Sequence, residues 1–249
     1  MKSNEICFFT YVNEKYYHFV TPLLFSIVKN VPDCKVEIVV ENHKDFYDKY
    51  GKQIANLFFK DVSFLNNNLI RNLYYHELYK DIIPNTKRFL LQPITKVNFT
   101  YIIDCDMLIT KKLFDKAVEN NIIRMKELKT CFFNIKRENR NALSGVHFVE
   151  TKKYFPKLSN FLKLLKENSQ EDFTKIINAQ GDEGFLYNFV AGTWGDPEKL
   201  TKDNVRFLPG EHISSNRGKK YTPIKEELCK DEDWKFAFSQ FDKKFLELF

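Results

Sequence analysis

Apolar residues in the first sixty positions alternate between short continuous runs and longer stretches with helical spacing. Ile6–Val12 and Lys35–Val40 are short, apolar and rich in β-branched or aromatic residues, which predicts two buried strands. The apolar positions of Tyr16–Lys29 and of the stretch from Lys44 to Phe59 predict two helices, the first ended by Pro32. This strand–helix alternation is typical of a largely parallel sheet.

The rest of the chain continues the alternation without a repeat, a low-complexity block or a linker. The pattern predicts further helices at Asn66–Tyr79, Thr86–Val97, Thr151–Asn168 and Asp182–Val190, and further strands at Thr130–Ile135 and Leu143–Val149. Tyr101–Ile109 is an apolar run that two carboxylates interrupt, and its first residues, Tyr-Ile-Ile, are predicted to form a strand that ends at the carboxylates. We therefore expect one α/β domain over residues 1–222.

The C-terminal segment, residues 223–249, is predicted to be a helical extension. Its aromatic residues recur at near-helical spacing, and they are Trp234, Phe238, Phe241, Phe245 and Phe249. Such a stripe is expected either of a helix that lies on a membrane surface or of one that packs on the domain. Residues 217–249 hold 8 basic and 7 acidic residues, so no polybasic run supports the first alternative. Packing on the domain is favoured, with at most peripheral membrane contact.

Composition supports a globular protein and excludes several classes of ligand. Of 249 residues, 43% are apolar and 16% aromatic, which is ample for a buried core. The net charge of +6 is spread along the chain, whereas a nucleic-acid protein would concentrate its basic residues on one element. Only 8 glycines are present, and none forms a G-x-G-x-x-G or G-x-x-x-x-G-K-[ST] phosphate loop. We expect no nucleic-acid partner and no Gly-rich nucleotide site.

The cysteines indicate a reducing compartment. They are five in number and contain no C-x-x-C pair, which disfavours a zinc site and a disulfide framework. The N-terminal apolar run is short and is followed by polar residues, unlike a signal peptide. No stretch approaches the roughly 18 apolar residues that span a bilayer. We expect a cytoplasmic protein with at most peripheral contact at the inner face of the membrane.

Asp104-x-Asp106 is the feature that carries the most chemistry. It lies at the end of a predicted Tyr-Ile-Ile strand, and alternate residues of a strand point to the same side, so both carboxylates are expected to converge. Two adjacent carboxylates in an apolar setting repel each other and lose hydration, and a divalent cation removes that cost. Mg²⁺ and Mn²⁺ prefer such oxygen ligands. The alternative is a strand end at which both residues only cap a turn or a helix.

Several further motifs occur in order along residues 5–220, each weak alone. The full set is Asn13-x-x-Tyr16, Arg88, Asp104-x-Asp106, Ser144-Gly145-Val146, Gly181-Asp182-Glu183-Gly184-x-Leu186, and His212 followed by Gly218 and Lys220. Together they resemble the DxD-type glycosyltransferases of the GT-A fold, in particular the retaining family 8 that includes glycogenin and bacterial lipopolysaccharide galactosyltransferases. The resemblance implies an α/β GT-A fold with a mostly parallel central sheet flanked by helices. Glu183 departs from the glutamine usual in that family, and Leu143 from its usual asparagine.

The resemblance also implies a role for each motif. Asp104, Asp106 and His212 would hold Mn²⁺ or Mg²⁺, and Asp182 with Glu183 would orient the donor sugar at the reacting carbon. The residues implied in nucleotide-sugar binding are Thr10, Asn13, Tyr16, Arg88, Asp104, Ser144, Gly145 and Lys220. Ordinary structural roles remain as alternatives: a core histidine, a helix N-cap at Asp182, a packed serine and a solvated lysine run.

Three functions follow as hypotheses. The first is a metal-dependent glycosyltransferase that moves a sugar from a nucleotide-diphosphate donor, a UDP-sugar above all, to a saccharide or lipid-linked saccharide acceptor. Surface polysaccharide or lipooligosaccharide synthesis with retention of configuration is the implied context. The second is a sugar-phosphate nucleotidyltransferase, against which stands the missing Gly-rich N-terminal loop. The third is an inactive carbohydrate-binding protein of the same fold, against which stands the complete set of metal ligands.

Overall fold

The structure is a computed structural model that describes residues 2–58, 68–73, 79–168, 172–200, 207–213 and 221–249. In these ranges the strands are β1 (Ile6–Val12), β2 (Lys35–Val40), β3 (Asn68–Asn72), β4 (Phe99–Ile102), β5 (Met107–Ile109), β6 (Phe132–Phe133), β7 (His147–Glu150) and β8 (Gly210–His212). The α-helices are α1 (Val20–Asn30), α2 (His43–Phe58), α3 (Pro84–Leu90), α4 (Lys111–Glu127), α5 (Thr151–Asn168), α6 (Phe173–Trp194), α7 (Pro197–Leu200), α8 (Tyr221–Leu228), α9 (Glu232–Gln240) and α10 (Lys243–Leu246).

A six-stranded sheet in the order β3-β2-β1-β4-β7-β6 forms the centre of the molecule. β3, β2, β1 and β4 are parallel, and β7 runs antiparallel to both β4 and β6. Every residue of β1 is buried, as expected of a strand covered by helices on both faces. The mostly parallel α/β sheet predicted from the sequence is confirmed.

Alternate residues of β1 belong to two different apolar clusters, one on each face of the sheet. Phe8 lies in the cluster that α1, α2, α4 and the C-terminal helices cover. Phe9 lies in the cluster that α3, α5 and α6 cover. The period-2 alternation of side chains along a strand divides the core in this way. The result is a three-layer arrangement of helices, sheet and helices.

Two predicted helices differ from the structure. Within Asn66–Tyr79, the described residues Asn68–Asn72 form an edge strand parallel to β2, because Leu69 and Ile70 fit a strand as well as a helix. The remaining described residues of that stretch are Leu73 and Tyr79, and residues 66, 67 and 74–78 lie outside the described part. Thr86–Val97 is helical only as far as Leu90, because the following proline at 93 disfavours helix at the residue before it.

The segment after α3 makes its hydrogen bonds to a buried carboxylate instead of continuing the helix. Glu37 on β2 has 0% exposure. It accepts hydrogen bonds from the backbone N–H groups of Ile94 and Thr95 at 2.9 Å each and from Thr95 Oγ1 at 2.7 Å. It also accepts from Arg71 Nε on β3 at 2.8 Å. The carboxylate therefore joins two strands and a loop on one side of the sheet.

The apolar run Tyr101–Ile109 is divided between two strands, and Asp104 and Asp106 lie between them. The chain leaves the central sheet after Ile102, turns through Cys105 and Asp106, and continues as β5. β5 pairs with β8 in a separate two-stranded antiparallel sheet, with Met107 opposite His212 and Ile109 opposite Gly210. The two carboxylates are thus brought together by a turn between two sheets and not by strand alternation.

The predicted strands at Thr130–Ile135 and Leu143–Val149 are shorter or shifted, as β6 and β7. Helix α4 was missed, although Thr110 caps its N-terminus and Phe114, Val118 and Met125 form a buried face. Four of the five C-terminal aromatic residues are buried against the domain and Phe249 is half-buried. The ring centroids of Trp234 and Phe25 are 4.9 Å apart. The proposed boundary at residue 222 falls inside α8 and stays a prediction. Among the described residues no helix is long and apolar enough to cross a membrane.

Candidate active site

A cleft of about 290 Å³ opens where β1 and β4 end at their carboxyl termini. In open α/β sheets, ligands bind outside this edge of the strands. The cleft has three walls: the chain after β1, helix α3, and the start of the second half of α6. The turn after β4 forms its floor. The charged residues that line the cleft are Arg88, Asp104, Asp106, Arg137, Asp182 and Glu183.

Asp104, Asp106 and His212 form a cluster at this cleft, with one ligand atom of each within 4.8 Å of the others. His212 Nδ1 is 3.4 Å from Asp106 Oδ1, and His212 Nε2 is 3.6 Å from Asp104 Oδ2. The imidazole is only 5% exposed, and the carboxylates are 24% and 19% exposed. Two carboxylates and one nitrogen in this space fit a divalent cation of the Mn²⁺ or Mg²⁺ type, since carboxylate oxygens are its usual ligands.

The pairing of β5 with β8 places the histidine. The backbone N–H of Ile213 donates to the carbonyl of Asp106 at 2.6 Å, which holds β8 beside the turn that carries the carboxylates. At Gly210 the strands approach so closely that an added Cβ would lie 2.7 Å from the carbonyl carbon of Leu108 and 2.8 Å from Cα of Ile109. Glycine is therefore required for this register, and the register fixes the position of His212.

Arg88 on α3 connects the carboxylates of the cleft. It is 7% exposed, it forms an ion pair with Asp104, and its Nη2 lies 3.0 Å from Asp182 Oδ2. Burial acts to lower the pKa of Arg88, but the two carboxylates outweigh it and raise that pKa. Gly145 makes room for the guanidinium, because a Cβ there would lie 2.7 Å from Arg88 Nη2. The arrangement places a fixed positive charge beside the cluster of Asp104, Asp106 and His212.

The Gly181-Asp182-Glu183 motif lies at a break in α6. Gly181 has φ 64°, a left-handed conformation that favours glycine, and regular helix resumes after it. Asp182 and Glu183 consequently stand at the start of a helical segment, where negative charge is favoured. Asp182 faces the cleft and pairs with Arg88. This is the point at which the sequence predicted a helix to begin.

Glu183 is held by two arginines that sequence reasoning did not single out. Its Oε1 accepts from Arg137, whose Nε is 3.0 Å away, and its Oε2 accepts from Arg140 Nη2 at 2.7 Å. Its backbone carbonyl accepts from the N–H of Leu143 at 3.0 Å. These contacts fasten the turn between Arg137 and Leu143 to the start of the helix. The only sequence signal was the extra charge of Glu183, which required a partner nearby.

The wall that follows β1 comes from the 3₁₀ helix Glu14–Phe19 and the residue before it. Asn13, Tyr16 and Phe19 line the cleft, and the rings of Tyr16 and Phe19 stack with centroids 6.2 Å apart. The Oδ1 atom of Asn13 is buried and accepts no hydrogen bond from any described residue. An aromatic face with a free amide acceptor suits a planar, hydrogen-bonding ligand.

Some predicted site residues lie elsewhere. Thr10 is 1% exposed in β1 and bonds the carbonyl of Tyr11, and Ser144 is 2% exposed behind Gly145; neither lines the cleft. Lys220 and the glycine at 218 lie outside the described residues. Cys105, between the two aspartates, also lines the cleft, and burial together with Asp106 and Asp104 raises the pKa of its thiol.

Comparison with known proteins identifies the fold. No protein-family model and no curated protein matches the sequence. Among solved structures, the chain is similar to the glycosyltransferase GlyE of Streptococcus pneumoniae TIGR4, with TM-score 0.50, 11% identity, and 97% of this chain and 64% of that chain covered. The chain has the GT-A fold. The chain is also similar to the galactosyltransferase LgtC, solved in complex with donor and acceptor sugar analogues. The TM-score is 0.48 and the identity 11%, and the match covers 98% of this chain and 100% of that chain.

Proposed function

We propose that the chain is a metal-dependent glycosyltransferase that uses a nucleotide-diphosphate sugar, with UDP as the nucleotide. The observation that carries the proposal is the cluster of Asp104, Asp106 and His212 beside Arg88, at the edge of the sheet where ligands bind in this kind of fold. The GT-A fold and its likeness to GlyE, which is itself a glycosyltransferase, support the same reaction class here.

Asp104, Asp106 and His212 would hold the cation, and two carboxylates with an imidazole favour Mn²⁺ over Mg²⁺. When bound, the cation supplies positive charge to the diphosphate leaving group, where negative charge grows as the sugar departs. Without a cation, the lining carboxylates outnumber the lining arginines, Asp104, Asp106, Asp182 and Glu183 against Arg88 and Arg137. A divalent cation and an anionic diphosphate are therefore expected to enter the cleft together.

Arg88 would donate to the diphosphate or to the sugar, because a guanidinium fits phosphate oxygens in a forked geometry. Its Nε is buried and donates to no described residue, so one N–H is not committed to the ion pairs. Asn13 and Tyr16 would contact the nucleotide base across the cleft. Lys220 is proposed as a further contact to the diphosphate on the family resemblance.

Asp182 and Glu183 would differ in role. Both oxygens of Glu183 are taken by arginines, so its function is to hold the wall of the cleft rather than to react. Asp182 Oδ2 accepts a hydrogen bond from Arg88 Nη2, and the Asp182 side chain lines the cleft and is 25% exposed. We assign to Asp182 the orientation of the donor sugar. The proposed acceptor is a saccharide or lipid-linked saccharide of a surface polysaccharide or lipooligosaccharide, and the proposed outcome is retention.

The experiment is thermal unfolding with UDP, GDP, CMP and ADP, each with Mn²⁺ or with EDTA. A ligand at 100 times its dissociation constant stabilises the folded state by about 2.7 kcal/mol, or roughly 5 to 10 °C for a chain of this size. We expect a shift with UDP that requires Mn²⁺ and is lost in Asp106→Asn. Asp115→Asn, on the exposed face of α4, is the matched control and should keep the shift. No Mn²⁺-dependent shift with any nucleotide would reject the proposal.

A further inference from the structure

A second cavity of about 760 Å³ lies on the face of the molecule away from the cleft. Its walls carry four lysines from three elements: Lys126 on α4, Lys129 after α4, and Lys153 and Lys157 on α5. We name it the basic cavity. Its apolar lining includes Phe99 at the amino end of β4, the opposite end of the strand from Asp104. The cavity is therefore separate from the proposed active site.

The positive charge of the basic cavity is mostly uncompensated. Among the described residues that line it, Glu150 is the one carboxylate, and Lys153 pairs with it at 2.9 Å. Among the described residues, Lys126, Lys129 and Lys157 have no carboxylate within ion-pair distance. Lys157 instead lies over the ring of Trp194 at 5.1 Å. Four ammonium groups around one cavity repel each other, and an anion in the cavity would remove that repulsion.

Helix electrostatics do not account for these lysines. Lys126 lies in the last turn of α4, where a cation interacts favourably with the helix dipole. Lys153 and Lys157, however, lie on α5, and Lys153 is in its first turn, where positive charge is unfavourable. They are also four residues apart on one helix face, an arrangement that places like charges side by side. An anion bound between them would offset this repulsion and would explain lysine at both positions.

Lys129 adds an independent observation. It has φ 51°, in the left-handed region that glycine usually occupies after a helix. The turn is closed by the N–H of Thr130, which donates to the carbonyl of Met125 at 3.0 Å. A lysine at this position costs backbone strain that glycine would avoid, and strain of this kind concentrates at functional positions.

The floor of the basic cavity defines the rest of the ligand. Phe99 and Trp194 are half-buried and Met125 is buried, so the cavity combines an apolar floor with a cationic rim. Its volume is in the range that holds a small organic ligand. Lysine binds phosphate as a compact point charge. We propose that the basic cavity binds a phosphate-bearing ligand whose attached apolar or ring portion rests on Trp194 and Phe99.

Two sources supply this chemistry, a soluble phosphorylated molecule and the headgroup of an anionic lipid. The probes are sodium tripolyphosphate, measured by calorimetry and by tryptophan fluorescence, and phosphatidylglycerol vesicles against phosphatidylcholine vesicles in a flotation assay. EDTA is present throughout, so that the metal-dependent cleft does not contribute. The test does not depend on transferase activity, and its result is separate from that of the nucleotide experiment.

The cavity variant combines Lys126→Gln, Lys129→Gln and Lys157→Gln. The matched control combines Lys152→Gln, Lys163→Gln and Lys166→Gln, which removes the same charge from exposed positions of α5 outside the cavity. We expect at least one probe to bind the wild type and the control, and to bind the cavity variant about tenfold or more weakly. Binding of tripolyphosphate alone would indicate a soluble ligand, and binding to phosphatidylglycerol vesicles would indicate a lipid. Equal loss in both variants, or no binding of either probe to the wild type, would overturn the proposal.

Discussion

Gly210→Ala tests whether the pairing of β5 with β8 positions the proposed metal cluster of Asp104, Asp106 and His212. The new Cβ would stand 2.7 Å from the carbonyl carbon of Leu108, whereas ordinary contact begins near 3.4 Å. β8 would have to withdraw by about 1 Å or more, because the new Cβ would overlap the carbonyl oxygen of Leu108 most closely, and all three obstructing atoms belong to the backbone and cannot rotate away. His212 is two residues along the same short strand and would move with it.

A displacement of this size is small for the fold and large for a metal site. Overpacking of this kind costs about 1 to 3 kcal/mol of stability. A functional group displaced by about 1 Å loses roughly a hundredfold in rate, and productive geometry tolerates about 0.5 Å. We therefore expect Gly210→Ala to remain folded while its Mn²⁺ affinity and Mn²⁺-dependent UDP binding fall toward those of His212→Ala.

The assay is Mn²⁺ titration followed by calorimetry, with urea unfolding to show that each variant is folded. Glu211→Ala is the matched control, because Glu211 is exposed between Gly210 and His212 and its backbone pairing is kept. Mn²⁺ affinity within twofold of wild type in folded Gly210→Ala would refute the role of this strand pairing. Mn²⁺ binding absent from the wild type would instead reject the proposed metal site itself.

Further predictions concern the supports of the cleft and the core. Glu183→Gln should loosen the turn that carries Arg137 and lower the free energy of unfolding by about 1 to 3 kcal/mol, with Mn²⁺ affinity unchanged, because Glu183 does not contact the metal cluster. Glu37→Gln should cost about 3 to 5 kcal/mol in urea unfolding, because it breaks a buried ion pair and places an amide against backbone donors. Burial lowers the pKa of His147 to about 3, so between about pH 6.5 and pH 3 the unfolded chain binds a proton that the folded chain does not. Stability should therefore fall with decreasing pH across that window, by up to about 1.4 kcal/mol per pH unit from this group, and a less steep slope is expected in His147→Asn. An unchanged slope in His147→Asn would contradict the attribution of this pH dependence to His147.

The sequence was sufficient wherever a local pattern decides the structure. β1 and β2 have the predicted bounds because they are short continuous apolar runs, and α5 matches the predicted Thr151–Asn168 because its apolar residues recur at helical spacing. It was insufficient where a distant partner decides. The segment after α3 is held by Glu37, a residue on another strand, and no periodicity in residues 91–97 reports that contact.

In the candidate site, too, local sequence features could be predicted and long-range contacts could not. Asp104, Asp106 and Arg88 could be identified from type and order, and the structure brings them together. The reason for their convergence could not be predicted, since it depends on a turn and on β8 about a hundred residues later. Arg137 and Arg140 carry no motif, and only the unexplained charge of Glu183 pointed to them.

The aromatic wall of the cleft has a consequence for how the molecule is made. Phe19 lines the cleft, and its ring lies edge-on against that of Phe245 with centroids 6.0 Å apart. At ribosomal speed the two residues are synthesised roughly ten to fifty seconds apart. During that interval Phe19 and the neighbouring apolar surface of α1 lack their C-terminal cover, which makes them a natural point for chaperone contact. The part of the cleft that is translated first is thus among the last to be finished.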